Sequence, residues 1–226
     1  MSRVLISFDY ALKRLLRDKA NYDVLEGFLS ELFGYGVKVK NIIESESNKE
    51  VPTDRYNRVD IMIEDEKGEI LSVELQFNAE IDYFHRMLYG TGKILTERIK
   101  EGQNYDVLPK VISINIVYFD LGQGRDYVYH GRTYFRGLHS DDDELQLSVL
   151  QSRKYGKKIP AEIYPEYYIL KIKQFDDKIR DKFDEWIYFF KHNSIKDEFT
   201  AKGLDRVRET LLYENLTDEE KQEYKR

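Results

Sequence analysis

Arg58-Val59-Asp60-Ile61-Met62-Ile63-Glu64 and Glu69-Ile70-Leu71-Ser72-Val73-Glu74-Leu75-Gln76, joined by Asp65-Glu66-Lys67-Gly68, decide how this chain is read. Both runs have strand character and the connector contains a glycine, so together they predict a β-hairpin. A strand points successive side chains to opposite faces, which puts Ser72, Glu74 and Gln76 on one face and Leu71, Val73 and Leu75 on the other. With the turn centred near Glu66-Lys67 and Gly68 available as a bulge, Asp60 falls opposite residue 73 or 74. Asp60 and Glu74 are therefore expected to converge.

Like charges facing each other across strands repel unless a cation or a proton lies between them. An oxygen-only donor set on a fixed scaffold suits a hard divalent cation, magnesium above all, with manganese as a substitute. Such an ion lowers the pKa of a bound water and polarises a phosphoryl oxygen, and both effects favour phosphodiester hydrolysis. The spacing also admits a plainer reading, in which the acids of the hairpin, including Glu64, Asp65, Glu66 and Glu69, form a solvated face.

Working outward, a helical region is predicted over 7–33, a strand near 37–46, then the hairpin, a helix near 81–101 and an apolar strand at 111–118. The order is αβββαβ, an α/β arrangement. With Asp60 in the second core strand and Glu74-Leu75-Gln76 in the third, the chain resembles the PD-(D/E)XK nuclease superfamily, and within it the recombination-promoting nuclease and putative transposase family. Tyr-Ala-Leu-Lys-Arg-Leu-Leu at 10–16, Arg86 and Tyr89, Gly102-Gln103-Asn104-Tyr105 and Asp184-Glu185-Trp186 extend the resemblance over most of the chain.

The resemblance implies a restriction-endonuclease-like core with a mixed sheet, plus extra strands and C-terminal helices. It also implies a magnesium-dependent DNA endonuclease. Asp60 and Glu74 would bind the metal with the Leu75 backbone carbonyl, Gln76 would orient the attacking water, and Glu26 resembles a first-helix glutamate that joins such sites. Arg86, Tyr89, Lys93 and Lys13 are the expected phosphate or DNA contacts, Arg86 because its planar fork can hold two oxygens. Two positions depart from the superfamily pattern. Val59 stands where proline is common, and Gln76 stands where the motif has lysine. An ammonium can stabilise developing negative charge, whereas a neutral amide only hydrogen-bonds. The recombination-promoting branch often resembles Glu-x-Gln here, so a variant motif is implied. The rival expectation is a nuclease-like fold kept as a DNA- or protein-binding module.

The 226 residues include 41% hydrophobic and 14% aromatic side chains, enough for a sizeable core. A net charge of −6 argues against a protein that coats nucleic acid non-specifically, though a local basic surface remains compatible with DNA contact. With no cysteine, disulfides and thiolate zinc sites are excluded. Four scattered histidines lack zinc spacing, and no phosphate-binding Gly-x-x-x-x-Gly-Lys or Gly-x-Ser-x-Gly motif occurs. No signal segment or membrane span is expected, and the expected location is cytoplasmic, with a homo-oligomer left open.

The first helical region has Phe8, Leu12, Leu15 and Leu16 on one face and Lys13, Arg14 and Arg17 on the other. After a cap at Asn21, Val24, Leu25, Phe28, Leu29 and Leu32 form a stripe that ends at Gly34 and Gly36. The 81–101 helix is expected to bury Ile81, Phe84, Leu88, Leu95 and Ile99. A hairpin is expected at 127–130 and 132–135, a solvated acidic loop at 140–144, and strands at 145–150 and 167–172. Arg153-Lys154-Tyr155-Gly156-Lys157-Lys158 reads as a solvated loop in preference to a DNA arm. Helices are expected around Phe183-Trp186-Ile187-Phe190 and Leu204-Val207-Leu211-Leu212. A capping box at Thr217–Glu220 has only six residues after it, which suggests truncation. The expected division is a nuclease-like core at 1–120, additional strands at 121–175 and a helical region at 176–226.

Overall fold

The computed structural model describes residues 22–43 and 58–210, with the backbone alone at Arg58, Val59, Asp60, Asp141 and Thr210. The stripe at 8–16 with Lys13, and the segment at 217–226, lie outside the described residues. Helix α1 (Tyr22–Phe33) leads to β1 (Val39–Ile43), β2 (Arg58–Asp65) and β3 (Ile70–Gln76). Then follow α2 (Tyr83–Glu97), a short 3-10 turn (Tyr105–Val107), β4 (Val111–Val117), β5 (Val128–Gly131), β6 (Arg136–Gly137) and β7 (Ser140–Glu144). Helix α3 (Val149–Tyr155), β8 (Glu166–Lys171), α4 (Lys182–His192) and α5 (Leu204–Thr210) complete the described chain.

Six strands form a mixed sheet in the order β1-β2-β3-β4-β8-β5, and β6 and β7 make a separate two-stranded ribbon. The first three strands are antiparallel, β3, β4 and β8 run parallel, and β5 returns antiparallel to β8. All seven residues of β4 are buried because helices cover the sheet on both sides. One face carries Ile61, Val73, Ile114 and Leu170 against α1, α4 and α5. There Phe28 meets Trp186 and Phe190 at ring-centroid distances of 5.8 and 5.0 Å in tilted and edge-on geometries, which aromatic quadrupoles favour. A Cβ on Gly27 would lie 2.3 Å from the Lys202 carbonyl oxygen, so only glycine lets α1 approach the turn leading into α5.

The opposite face is covered by α2, but not by the stripe expected from sequence. Tyr83, Met87, Thr91 and Ile94 point inward, while Ile81, Phe84 and Leu88 are exposed. Both stripes have helical spacing; the inward one wins because its residues fit the sheet. The Tyr83 ring meets Phe119 edge-on at 5.5 Å, and Thr91 satisfies its hydroxyl on the Met87 carbonyl at 3.0 Å.

Other expectations are corrected. Tyr129 and His130 pair with Ile169 and Tyr168 of β8, not with 132–135, because the rim of the sheet offers a complete ladder. Residues 140–144 form β7, with Glu144 opposite Arg136, and are not a loop. Instead of a strand at 145–150, α3 begins at Val149. Ser148 Oγ accepts from Gln151 N, and Gln151 Oε1 accepts from Ser148 N at 2.9 Å, closing a capping box. Nor is the basic run a free loop. Arg153 and Lys154 finish α3, Lys154 pairs with Asp106 at 2.7 Å, and Lys157 pairs with Glu69 at 3.3 Å. Within the hairpin turn, Asp65 and Glu69 are buried, not solvated; Asp65 Oδ1 accepts from Lys67 N and Glu69 N at 2.9 and 2.8 Å. Gly68, at φ 77°, takes the left-handed conformation that this tight connection needs.

Candidate active site

Asp60 and Glu74 are direct partners in the β2–β3 register. Asp65 N donates to the Glu69 carbonyl at 3.1 Å, which makes 65/69 a hydrogen-bonded pair. Because pair types alternate along an unbroken antiparallel ladder, 63/71, 61/73 and 59/75 are also bonded pairs, and 60/74 is a non-bonded one. In that class facing Cα atoms approach to about 4.5 Å, the closer of the two spacings. Positions 60 and 74 thus share the α2 face of the sheet at close range, as Ile61 and Val73 share the other.

Glu74 is mostly enclosed, with 13% of its side chain exposed, and its Oε1 lies 3.2 Å from Arg86 Nη2. Arg86 also binds Glu80, with Nη1 2.5 Å from Oε2, so one guanidinium joins two carboxylates. Glu80 in turn accepts from Gln76 Nε2 at 2.9 Å, and the same nitrogen donates to the Asn78 carbonyl at 3.2 Å. Gln76 Oε1 is buried and has no hydrogen-bond partner among the described residues.

The floor of the site comes from β4. Asn115, opposite Glu74 in the parallel register, is 1% exposed. Its Oδ1 accepts from the Tyr83 hydroxyl at 3.3 Å, and its Nδ2 donates to Ser113 Oγ and the Tyr168 carbonyl. That polar tie anchors the first turn of α2, and Arg86, one turn later, is thereby set against Glu74. Leu75 buries its side chain on the opposite face. The Gln76 carbonyl accepts from Tyr118 N on the β4 side at 3.0 Å, so the preceding Leu75 carbonyl points toward β2.

Glu26, Tyr89 and Lys93 are not gathered here. Glu26 is buried, but its carboxylate accepts from Lys38 Nζ at 2.6 Å and Val39 N at 3.0 Å, closing the α1–β1 connection. This partnership holds the Lys38 ammonium above its ordinary pKa. Val39 pairs with Asp65, five residues along β2 from Asp60, about 17 Å at the usual strand rise. In this structure Glu26 thus serves the joint between α1 and β1. Tyr89 projects outward with 72% exposure, and Lys93 pairs with Glu97 at 3.8 Å. Sequence reasoning missed Glu80, Tyr83 and Asn115. Tyr83 and Asn115 could have been found as polar groups within apolar segments; Glu80, in a connector, carried no comparable signal.

At the other end of the sheet, Tyr35, His130, Arg132, Glu166 and Tyr168 help to line a polar cleft of about 350 Å³. Glu166 is gripped by Lys110 at 2.6 Å and Arg132 at 2.8 Å, with His130 3.4 Å away. Burial, aided by nearby carboxylates, pushes the Tyr35 and Tyr168 hydroxyls up to about 12.

A family model described as PD-(D/E)XK nuclease family transposase matches residues 6–226. The chain belongs to that family. Its membership accords with the mixed sheet flanked by helices and supports a nuclease or transposition-related role. Searches of curated proteins and of solved structures found no match. No helix among the described residues is long and apolar enough to cross a membrane. Among those residues no three His, Cys, Asp or Glu side chains gather as a metal cluster. The donors at hand still suit a hard cation: a carboxylate at Glu74, an aspartate position directly opposite, and the unpartnered buried oxygen of Gln76.

Proposed function

We propose that this member of the PD-(D/E)XK nuclease family transposases is a magnesium-dependent DNA endonuclease, working in recombination or transposition, that accepts manganese as a substitute. The observation that carries the proposal is the direct Asp60–Glu74 register on the α2 face, with Gln76 two residues further along the same side. Asp60, Glu74 and the Leu75 carbonyl would hold the ion. When bound, it would supply Lewis-acid polarisation of a phosphoryl oxygen and a water of lowered pKa.

The chain's own groups do the rest. Gln76 Oε1 accepts a hydrogen bond from the attacking water and aims it, and Arg86 places its fork on a phosphate oxygen. Exposed Tyr89 and half-buried Lys93, on later turns of α2, extend the DNA-facing side beyond the site, and Lys13 is a further proposed contact. The test is nicking of supercoiled plasmid with magnesium by wild type, Asp60→Ala and Glu74→Ala. A fall of 100-fold or more in both variants is expected; equal cutting by all three removes the assigned roles.

A second reading, a DNA-binding module indifferent to metal, is favoured by the Arg86–Glu74 pair, which compensates the acid without an ion. DNA binding unchanged by chelator and by Asp60→Asn would select it.

A further inference from the structure

Gln76 replaces the motif lysine, and its surroundings fix what the replacement can do. The residue is 3% exposed, and its Nε2 meets two groups, the Asn78 carbonyl and the Glu80 carboxylate. A carbonyl and an ionised carboxylate only accept hydrogen bonds. Turning the amide over would therefore set oxygen against oxygen on both sides and leave a buried NH₂ without acceptors. The contacts thus decide the orientation, and the atom left over is an acceptor, Oε1. A lysine here would donate; this glutamine is held so that its free atom can only accept, from a proton donor or a cation.

We infer that Glu80 is a positioning residue for the proposed metal site, its carboxylate locking the Gln76 amide so that Oε1 is the atom presented beside Glu74. The inference rests on the metal-site reading and concerns a residue outside the Glu-x-Gln motif. A water held near Glu74 donates to Oε1, and the lock removes the freedom of the amide to turn away. Outer contacts that orient ligands in this manner typically govern metal affinity by about 10–100-fold.

Glu80 also holds Arg86, so the test must separate the two roles. Manganese binding to the full chain is measured by titration calorimetry for wild type, Glu74→Ala, Glu80→Ala and Glu80→Gln, the last two also combined with Arg86→Met. Glu74→Ala is expected to abolish binding. Glu80→Ala is expected to weaken it at least tenfold in both backgrounds. Glu80→Gln, whose own Oε1 can accept from Gln76 Nε2, is expected to stay within about threefold of its parent. Wild-type affinity in Glu80→Ala, with binding lost in Glu74→Ala, overturns the positioning role and leaves the metal reading intact. Undiminished affinity in Glu74→Ala overturns the metal reading. The lock is then judged by NMR: hydrogen exchange of the Gln76 side-chain NH₂ should quicken about tenfold in Glu80→Ala and hold in Glu80→Gln. An NH₂ signal unmoved by Glu80→Ala refutes the lock itself.

Discussion

Arg86 reaches Glu74 and Glu80 at once, and so supplies the positive charge that two neighbouring carboxylates require. Removing it while keeping the aliphatic volume, as in Arg86→Met, takes one positive charge away from Glu74 and Glu80. Manganese should then bind several-fold more tightly in calorimetry, while plasmid nicking falls by about 100-fold, because the guanidinium no longer meets the phosphate. Tighter binding with undiminished nicking would refute the phosphate role. Tyr83→Phe tests the floor of the site. It leaves Asn115 Oδ1 without its hydroxyl donor in a buried setting, and a loss of about 1–3 kcal/mol in urea unfolding is expected. At this scale much was legible: alternation and turn position alone set positions 60 and 74 opposite each other. Glu80 was not, since nothing in a connector's sequence says that its side chain folds back on the preceding strand.

Among the elements, α2 and α3 show where local pattern ran out. The chain offered α2 two stripes of helical spacing, and the polarity of the underlying sheet, with Asn115 ready for the Tyr83 hydroxyl, favoured the one that contains Tyr83. Helix α3 is the reverse case. Its Ser148–Gln151 box has the same grammar as the Thr217–Glu220 pattern, but adjacent Leu147, Val149 and Leu150 gave the stretch the look of a strand. Such a short helix depends on its cap. Ser148→Ala should cost about 1 kcal/mol, seen as roughly fivefold faster amide exchange over 149–155 with the global unfolding midpoint almost unmoved. Exchange rates equal to wild type would show that tertiary contacts, not the cap, hold α3.

For the whole molecule, packing between helices and charge in the polar cleft both set stability. Gly27→Ala drives a methyl into the Lys202 carbonyl, where backbone must shift; a loss of about 1–3 kcal/mol is expected, followed through the fluorescence of the single, fully buried Trp186. In the polar cleft, burial pushes the Glu166 carboxyl upward, but Lys110, Arg132 and His130 together outweigh it and hold its pKa below the ordinary 4.5. A carboxyl depressed on folding contributes stability that is complete above its unfolded pKa and is lost as pH falls through the folded value. The thermal midpoint should therefore drop on acidification below about pH 4.5, and Glu166→Gln should make that limb shallower. An equally steep limb in the variant would place the acid sensitivity elsewhere.

Alternation, turn chemistry and helical spacing act between residues close in the chain, and they alone determined the αβββαβ order, the hairpin and the facing of positions 60 and 74. Tertiary structure decided which face of α2 turns inward, that β5 joins β8, that Glu26 binds Lys38, and that the Arg86 guanidinium bridges Glu74 and Glu80. Each of these depends on which distant surface offers the better fit or the missing partner for a buried polar group, and only the folded chain brings those surfaces together.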